Sequence, residues 1–304
     1  MNFLKWNLFL LFSGCCIFFG SAQHADPLKS KVYYSISEAA LDTNATQLNL
    51  RDQQLFYVSN QLEQLQQLTF LNAMQNHFET WPKSIFALSN LEVLNLKGNG
   101  LTYIPEGIEN LKQLITLDIA DNGIVAISER IGKLEQLQYL YLSGNTLSRL
   151  PETVTSCTSL RVLQLENNQL SYLPNTMGTL SVLEILDLGY NQFYEFDTRW
   201  LGLKQLRELN LEHNNLKALP KGISSLQNLK SLRINNNILK ELPEDLTAIF
   251  TLELLIISGN PLTHLPKDIG NLKELTTLIA VDTNFDKAEK KRIKEALPNC
   301  MVYF

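Results

Sequence analysis

Glu208, Glu212 and His213 fall within six positions of one another in "LRELNLEHNN", and they have the side-chain types that acid-base or metal chemistry uses. Two carboxylates and an imidazole can bind a divalent cation, and a pair such as Asp187 with Glu208 has the residue types that hydrolyse a glycosidic bond. Both reactions demand a particular frame. A metal takes three or four converging donors held by further hydrogen bonds. A carboxylate acid and its partner base need a pocket that drives their proton affinities apart. The elements that carry these residues therefore decide the matter.

Those elements repeat. Ala45, Leu68, Leu91, Leu114, Leu137, Leu160, Leu183, Leu206, Leu229, Leu252 and Leu275 open eleven units of 23 residues without an insertion or deletion. Each unit follows L-x-x-L-x-L-x-x-N-x-L-x-x-L-P-x-x-I-x-x-L-x-x, as in "LKSLRINNNILKELPEDLTAIFT". The first half alternates apolar and open positions, which predicts a short strand with one buried face. In the second half Leu242, Leu246 and Ile249 fall at i, i+4 and i+7, the stripe of a helical or 3-10 turn. One unit cannot bury its own apolar side, whereas stacked units share a continuous core. The expected fold is an α/β solenoid, a curved horseshoe with parallel strands on the concave face and helical or 3-10 turns on the convex face.

The ninth position is asparagine from Asn76 to Asn260, an amide column whose donors and acceptors can satisfy the turning backbone of each rung. On these residues the chain resembles the leucine-rich repeat family over residues 45–285. The 23-residue unit with its "LP" is similar to that of secreted bacterial members. The resemblance implies a binding protein, with roles such as adhesion, host interaction or envelope scaffolding.

Four segments follow. Residues 1–22 read as a signal peptide: Lys5, a short apolar stretch, then Gly20, Ser21 and Ala22, with cleavage expected after Ala22. In a competing reading "FSGC" places a lipidated Cys15 at the new amino terminus. Residues 23–44 form an N-terminal capping segment, where Ser35 and Glu38 have capping-box spacing. Residues 45–285 are the repeats. Residues 286–304 form a C-terminal cap, a helix from Asp286 that stops before Pro298, followed by a strand in "CMVYF".

No stretch is long and apolar enough to predict a membrane span. Loss of residues 1–22 leaves 25 basic against 31 acidic residues, a charge of −6 that argues against nucleic acid as the partner. Cys157 stands where other units carry leucine or isoleucine, so it reads as a small buried residue too many rungs from Cys300 for a disulfide.

With the repeats assigned, too few residues remain for an appended catalytic domain, and no phosphate-loop, dinucleotide or zinc motif is present. No cofactor is expected. Positions 3, 5, 7 and 8 of each unit are off the core, and Glu208, Glu212 and His213 occupy the third, seventh and eighth. The middle of the concave face gathers Asp118, Asp121, Tyr139, Tyr141, Glu166, Asp187, Tyr190, Glu208, Glu212, His213 and Arg233. Acids interleaved with tyrosines suit a protein partner, since tyrosine supplies rigid amphipathic contact area. A glycan held by Tyr139, Tyr141 and Tyr190 is the alternative, and a weak hydrolase centred on Asp187, Glu208 and His213 a third. Leu254, Ile256, Ile279 and Val281 are expected to form an exposed apolar patch unless an edge strand covers them. "FYEFDTRW" puts Phe196, Asp197 and Trp200 where leucine, proline and isoleucine are usual, and Ser128 likewise replaces a proline.

Overall fold

A computed structural model describes residues 25–304. The signal peptide and the Cys15 anchor lie outside the described residues. Strands of two or three residues recur along the chain: β1 (Val32–Tyr33), β2 (Gln47–Asn49), β3 (Phe70–Asn72), β4 (Val93–Asn95), β5 (Tyr103–Ile104), β6 (Thr116–Asp118), β7 (Ala126–Ile127) and β8 (Tyr139–Tyr141). They continue as β9 (Val162–Gln164), β10 (Ile185–Asp187), β11 (Glu208–Asn210), β12 (Ser231–Arg233), β13 (Leu254–Ile256), β14 (Thr277–Ile279) and β15 (Met301–Tyr303). All except β5 and β7, which pair with each other, form one parallel sheet in chain order. The curved leucine-rich solenoid read from the repeat is the fold.

The constant unit length sets the register. Leu186 lies opposite Leu163 on one side and Leu209 on the other, so leucines of neighbouring rungs stack, and Leu186 and Leu188 are fully buried. Short 3-10 turns form the outer side, for example Glu152–Ser156 and Glu244–Ala248. A proline with extended backbone precedes these turns, at Pro151 and Pro243. Where proline is missing, Ser128 and Asp197 cap the turn instead, their side chains accepting from the amides of Arg130 and Arg199. The aromatic substitutions fill the core: Trp200 packs edge-on against Phe193 and tilted against Phe196.

The asparagine column closes the rungs. Asn168 Oδ1 accepts from Leu147 N at 3.0 Å, and its Nδ2 donates to Leu142 O, Leu165 O and Glu166 O. Asn191 and Asn214 repeat the pattern one and two rungs on. One amide therefore serves backbone groups of two adjacent rungs, which lateral stacking alone would leave unpaired.

At the amino-terminal end Ser35 caps α1 (Ile36–Ala39) by accepting from Glu38 N, and β1 adds a strand that the sequence did not reveal. At the other end α2 (Lys287–Ala296) starts at Asp286, buries Ile293 and leads into β15 beside β14. Tyr303 stands opposite Ile279. The expected apolar patch is accordingly not open: Ile256 and Ile279 are only 8% and 6% exposed, with Leu254 and Val281 half-buried. Cys157 is fully buried, its Sγ donating to Ile131 O, and burial pushes its thiol up to about 12. It and Cys300 are both free thiols.

Candidate binding surface

Sequence alternation treats positions 3, 5, 7 and 8 as equivalent outward positions, and the structure separates them. Fifth-position residues are packed sideways between neighbouring rungs: Asp118 is 4% exposed and Tyr141 8%. Their polar members bend the chain out of the strand. Asn72, Asn95, Asp118, Asp187 and Asn210 each use Oδ1 to accept from the backbone amide two residues on, at 2.9–3.1 Å. This is an Asx turn, a reason for Asn or Asp that owes nothing to a ligand. Asp118 and Asp187 thus have a structural duty that was not legible in the sequence.

The eighth position is left-handed in every unit, with φ from 50° to 68° at Asp52, Gln75, Gly98, Asp121, Gly144, Asn167, Tyr190, His213, Asn236, Gly259 and Asp282. Gly, Asn and Asp tolerate this region and bulky residues resist it. Tyr190 and His213 are the two aromatic exceptions. They are adjacent, with stacked rings 4.1 Å apart and 16° from parallel. Tyr190 remains 44% exposed.

The trio in "LRELNLEHNN" does not converge. His213 points its ring at Tyr190, and Asn236 Nδ2 donates to its Nε2 at 2.8 Å. Glu212 turns instead to two amides, accepting from Asn210 Nδ2 and from Asn235 Nδ2 at 2.9 Å. Among the described residues no three His, Cys, Asp or Glu side chains come together as a metal site. The crevice beside Asp187 and Glu208 measures about 20 Å³, room for one water and far too little for a sugar.

The residues expected from the sequence fall into two groups, with His213 beside Tyr190 in the second. Asp118 lies near Asp121, which pairs with Lys97 at 3.1 Å, and burial raises the Asp118 carboxyl above its ordinary value. Tyr141 pairs in register with Asp118, and Tyr139 with Thr116. The second group is Glu166, Asp187, Tyr190, Glu212 and Arg233, with Glu208 on the same wall as Asp187. Burial first, then the charges of Glu166 and Glu212, push Asp187 up to about 7, against the lowering effects of the Gly189 amide and Arg233. Glu166 is raised too, by burial and then by Glu212. Burial between neighbouring rungs thus raises these carboxyls without a deep pocket.

Three contributors escaped sequence reading: Gly189, Asn210 and Asn235. Gly189 stands between Glu166 and Glu212 in the seventh-position column. A side chain there would place its Cβ 2.9 Å from Asn210 Nδ2 and 3.2 Å from Glu212 Cγ. Its absence lets Glu212 lean toward Asp187. The signal, a glycine between two glutamates, appears only when the column is read down the rungs.

Sequence profiles of leucine-rich repeats match residues 90–111, 112–170, 135–193 and 159–216, and one described as a leucine-rich repeat region matches 199–299. The chain belongs to the leucine-rich repeat family. No curated protein sequence matches it. Among solved structures, a leucine-rich repeat protein of Leptospira interrogans is 25% identical over 90% of this chain and 100% of its own, with a TM-score of 0.53. The functional domain of InlJ from Listeria monocytogenes is 24% identical, covering 86% of this chain and 53% of that one, with a TM-score of 0.72. The plant peptide hormone receptor RGFR1, solved in complex with RGF2, is 28% identical over 78% of this chain and 39% of its own, with a TM-score of 0.67.

Proposed function

We propose that the chain is an exported, non-catalytic scaffold that binds a protein on its concave face, centred on the rungs of β10 and β11. The observation that carries this reading is Tyr190 with His213. Tyr190 holds a bulky side chain in a backbone region that costs on the order of 1–3 kcal/mol for such a residue, while His213, of a type that tolerates this region, places a second ring against it. The same position is met without that cost by Gly144 and Asn167 just before them and by Asn236 and Gly259 just after. The fold gains no core packing from either ring, and Tyr190 lies open to solvent beside an acidic surface. Strain kept for a surface ring is accounted for by contact with a partner.

The likeness to RGFR1, a plant peptide hormone receptor solved in complex with RGF2, supports a polypeptide ligand, although this chain spans 39% of that one. The apolar amino-terminal stretch supports export. A sugar platform of Tyr139, Tyr141 and Tyr190 is less well supported, because Tyr141 is buried and a sugar needs an open ring face. Acid-base catalysis lacks room beside Asp187 and Glu208.

The test is affinity capture from cell-surface extracts by the chain and by a folded Tyr190→Ala, Glu212→Lys, His213→Ala variant. A partner held by the first and lost by the second is expected. Equal capture by both would move function off this face.

A further inference from the structure

We propose that the pairs Asn99-Gly100 and Asn122-Gly123 are deamidation sites guarded by the fold: closed rungs hold both asparagines unreactive, and an opened rung loses ammonia irreversibly. They are the two Asn-Gly pairs of the chain, and both asparagines belong to the amide column. In an open chain the glycine nitrogen attacks Cγ of the preceding asparagine and the Cγ–Nδ2 bond breaks. Nδ2 leaves as ammonia, carrying the proton of the glycine amide, and a five-membered imide remains. Water then opens the imide at either carbonyl to give aspartate or isoaspartate, so one ammonia leaves, one water enters and no oxidant is needed. Glycine favours the attack because it has no Cβ to shield its nitrogen and leaves the backbone free to turn.

The fold engages each reacting group. Asn99 Oδ1 accepts from Phe78 N at 3.1 Å, and its Nδ2 donates to Ala73 O at 3.2 Å and to Leu96 O at 2.9 Å. Asn122 Oδ1 accepts from Leu101 N, and its Nδ2 donates to Leu96 O, Ile119 O and Ala120 O, each at 3.1 Å. The attacking nitrogens are tied as well: Gly100 N donates to Phe78 O and Gly123 N to Leu101 O, both at 2.9 Å. Bringing the nitrogen to Cγ requires these bonds to break together, which is local opening of the rung.

Two independent observations set these positions apart. Asn99 and Asn122 are the half-buried members of a column that is otherwise buried from Asn76 to Asn260. The fold also has no need of the glycines that follow them. Neither has a left-handed backbone, and a Cβ would come no nearer than 3.4 Å to a neighbour at Gly100 and 3.6 Å at Gly123, ordinary contact distances. His77 and Gln169 fill this tenth position in other rungs and make the same backbone bond, to Leu55 O and Leu147 O. The glycines therefore add reactivity where the turn asks for none. The product cannot rejoin the column, because a carboxylate has no N–H for the carbonyls that Nδ2 serves. Isoaspartate further adds a backbone carbon, which breaks the constant spacing that keeps the rungs in register. Since each rung is stabilised by its neighbours, one altered rung loosens those beside it.

The experiment holds the full chain at pH 8.0 in native buffer and, in parallel, in guanidinium chloride above its unfolding midpoint. Digests are read by mass spectrometry for conversion of amide to acid and for isoaspartate. In denaturant, conversion is expected at Asn99 and Asn122 well before Asn145, Asn168 or Asn191. In native buffer it should be slower at both sites by at least about a hundredfold, the ratio set by the population of the open rung. On dilution from denaturant, the refolded fraction should fall in step with conversion, and a Gly100→Ala, Gly123→Ala variant should keep its refolding after the same hold. Equal conversion in folded and unfolded chains, conversion spread evenly over the asparagines, or full refolding of converted chains would each overturn the inference. The mass readout on the parent chain decides between these results even if the alanine variant does not fold.

Discussion

Asp187→Asn separates the turn-forming duty of this residue from its charge. Asparagine keeps the bond to Gly189 N that Asp187 makes at 3.1 Å, as Asn95 and Asn210 do in their own rungs. The carboxyl titrates at 3.8 when unperturbed and at about 7 in the fold. Because the folded value is raised, the folded chain holds this proton where the unfolded chain has lost it. Stability is therefore greatest below 3.8, declines as pH rises toward 7 and is level above it. Three pH units at about 1.36 kcal/mol each give an upper bound of about 4 kcal/mol, and the outer edge of the side chain keeps some water, so about 2–4 kcal/mol is expected. Urea denaturation at pH 4.5 and 8.0 should find the variant more stable than the parent by that amount at pH 8.0 and by no more than about 1 kcal/mol at pH 4.5, where the unfolded carboxyl has only begun to lose its proton. Parallel pH profiles for the two proteins would refute the reasoning, as would a variant weakened equally at both pH values.

Two further substitutions probe the frame around this site. Tyr190→Asn installs the residue found at Asn167 and Asn236, and the relief of left-handed strain should offset the lost stacking on His213 to within about 1 kcal/mol; a fall of more than about 2 kcal/mol in denaturation would show a structural ring and undo the argument from strain. Asn168→Ala removes the partner of Leu147 N and of three carbonyls, so it should lower stability by about 1–3 kcal/mol, and an unchanged denaturation midpoint would count against the amide column.

The solenoid was legible because a constant period forces every unit into one register. Leu186 can stack on Leu163 and Leu209 only if no unit gains or loses a residue. The asparagine column was legible for the same reason, and Ser35 and Asp286 announced the two capped helices through local spacing. The concave face was harder to read, because alternation shows which side of a strand a residue leaves and not how closely neighbouring rungs approach there. Curvature brings the fifth position of each rung against the next, which buries Asp118, Tyr141, Ile256 and Ile279. The turn geometry was also written in the sequence, in a column of Gly98, Asp121, Gly144, Asn167, Asn236, Gly259 and Asp282. It becomes visible only when that column is read as backbone preference instead of surface chemistry. Tyr190 and His213 then stand out as exceptions.

Two departures from the needs of the fold coincide on these rungs. At the fifth position an Asx turn requires an oxygen acceptor, and an amide supplies it without charge, so the carboxylate of Asp187 adds a burden that Asn210 next door avoids. At the eighth position the backbone favours small residues, and Tyr190 and His213 again do what their neighbours avoid. Asp118 shows the contrast: it too is a buried aspartate in an Asx turn with a cation nearby, Lys97 as Asp187 has Arg233, but the eighth position of its rung, Asp121, suits the left-handed turn. Only between β10 and β11 do an unneeded charge and an unneeded strain meet, with Gly189 opening the surface between them. A stability cost at one position has many explanations, whereas unrelated costs converging on one stretch of surface are most simply explained by something that binds there.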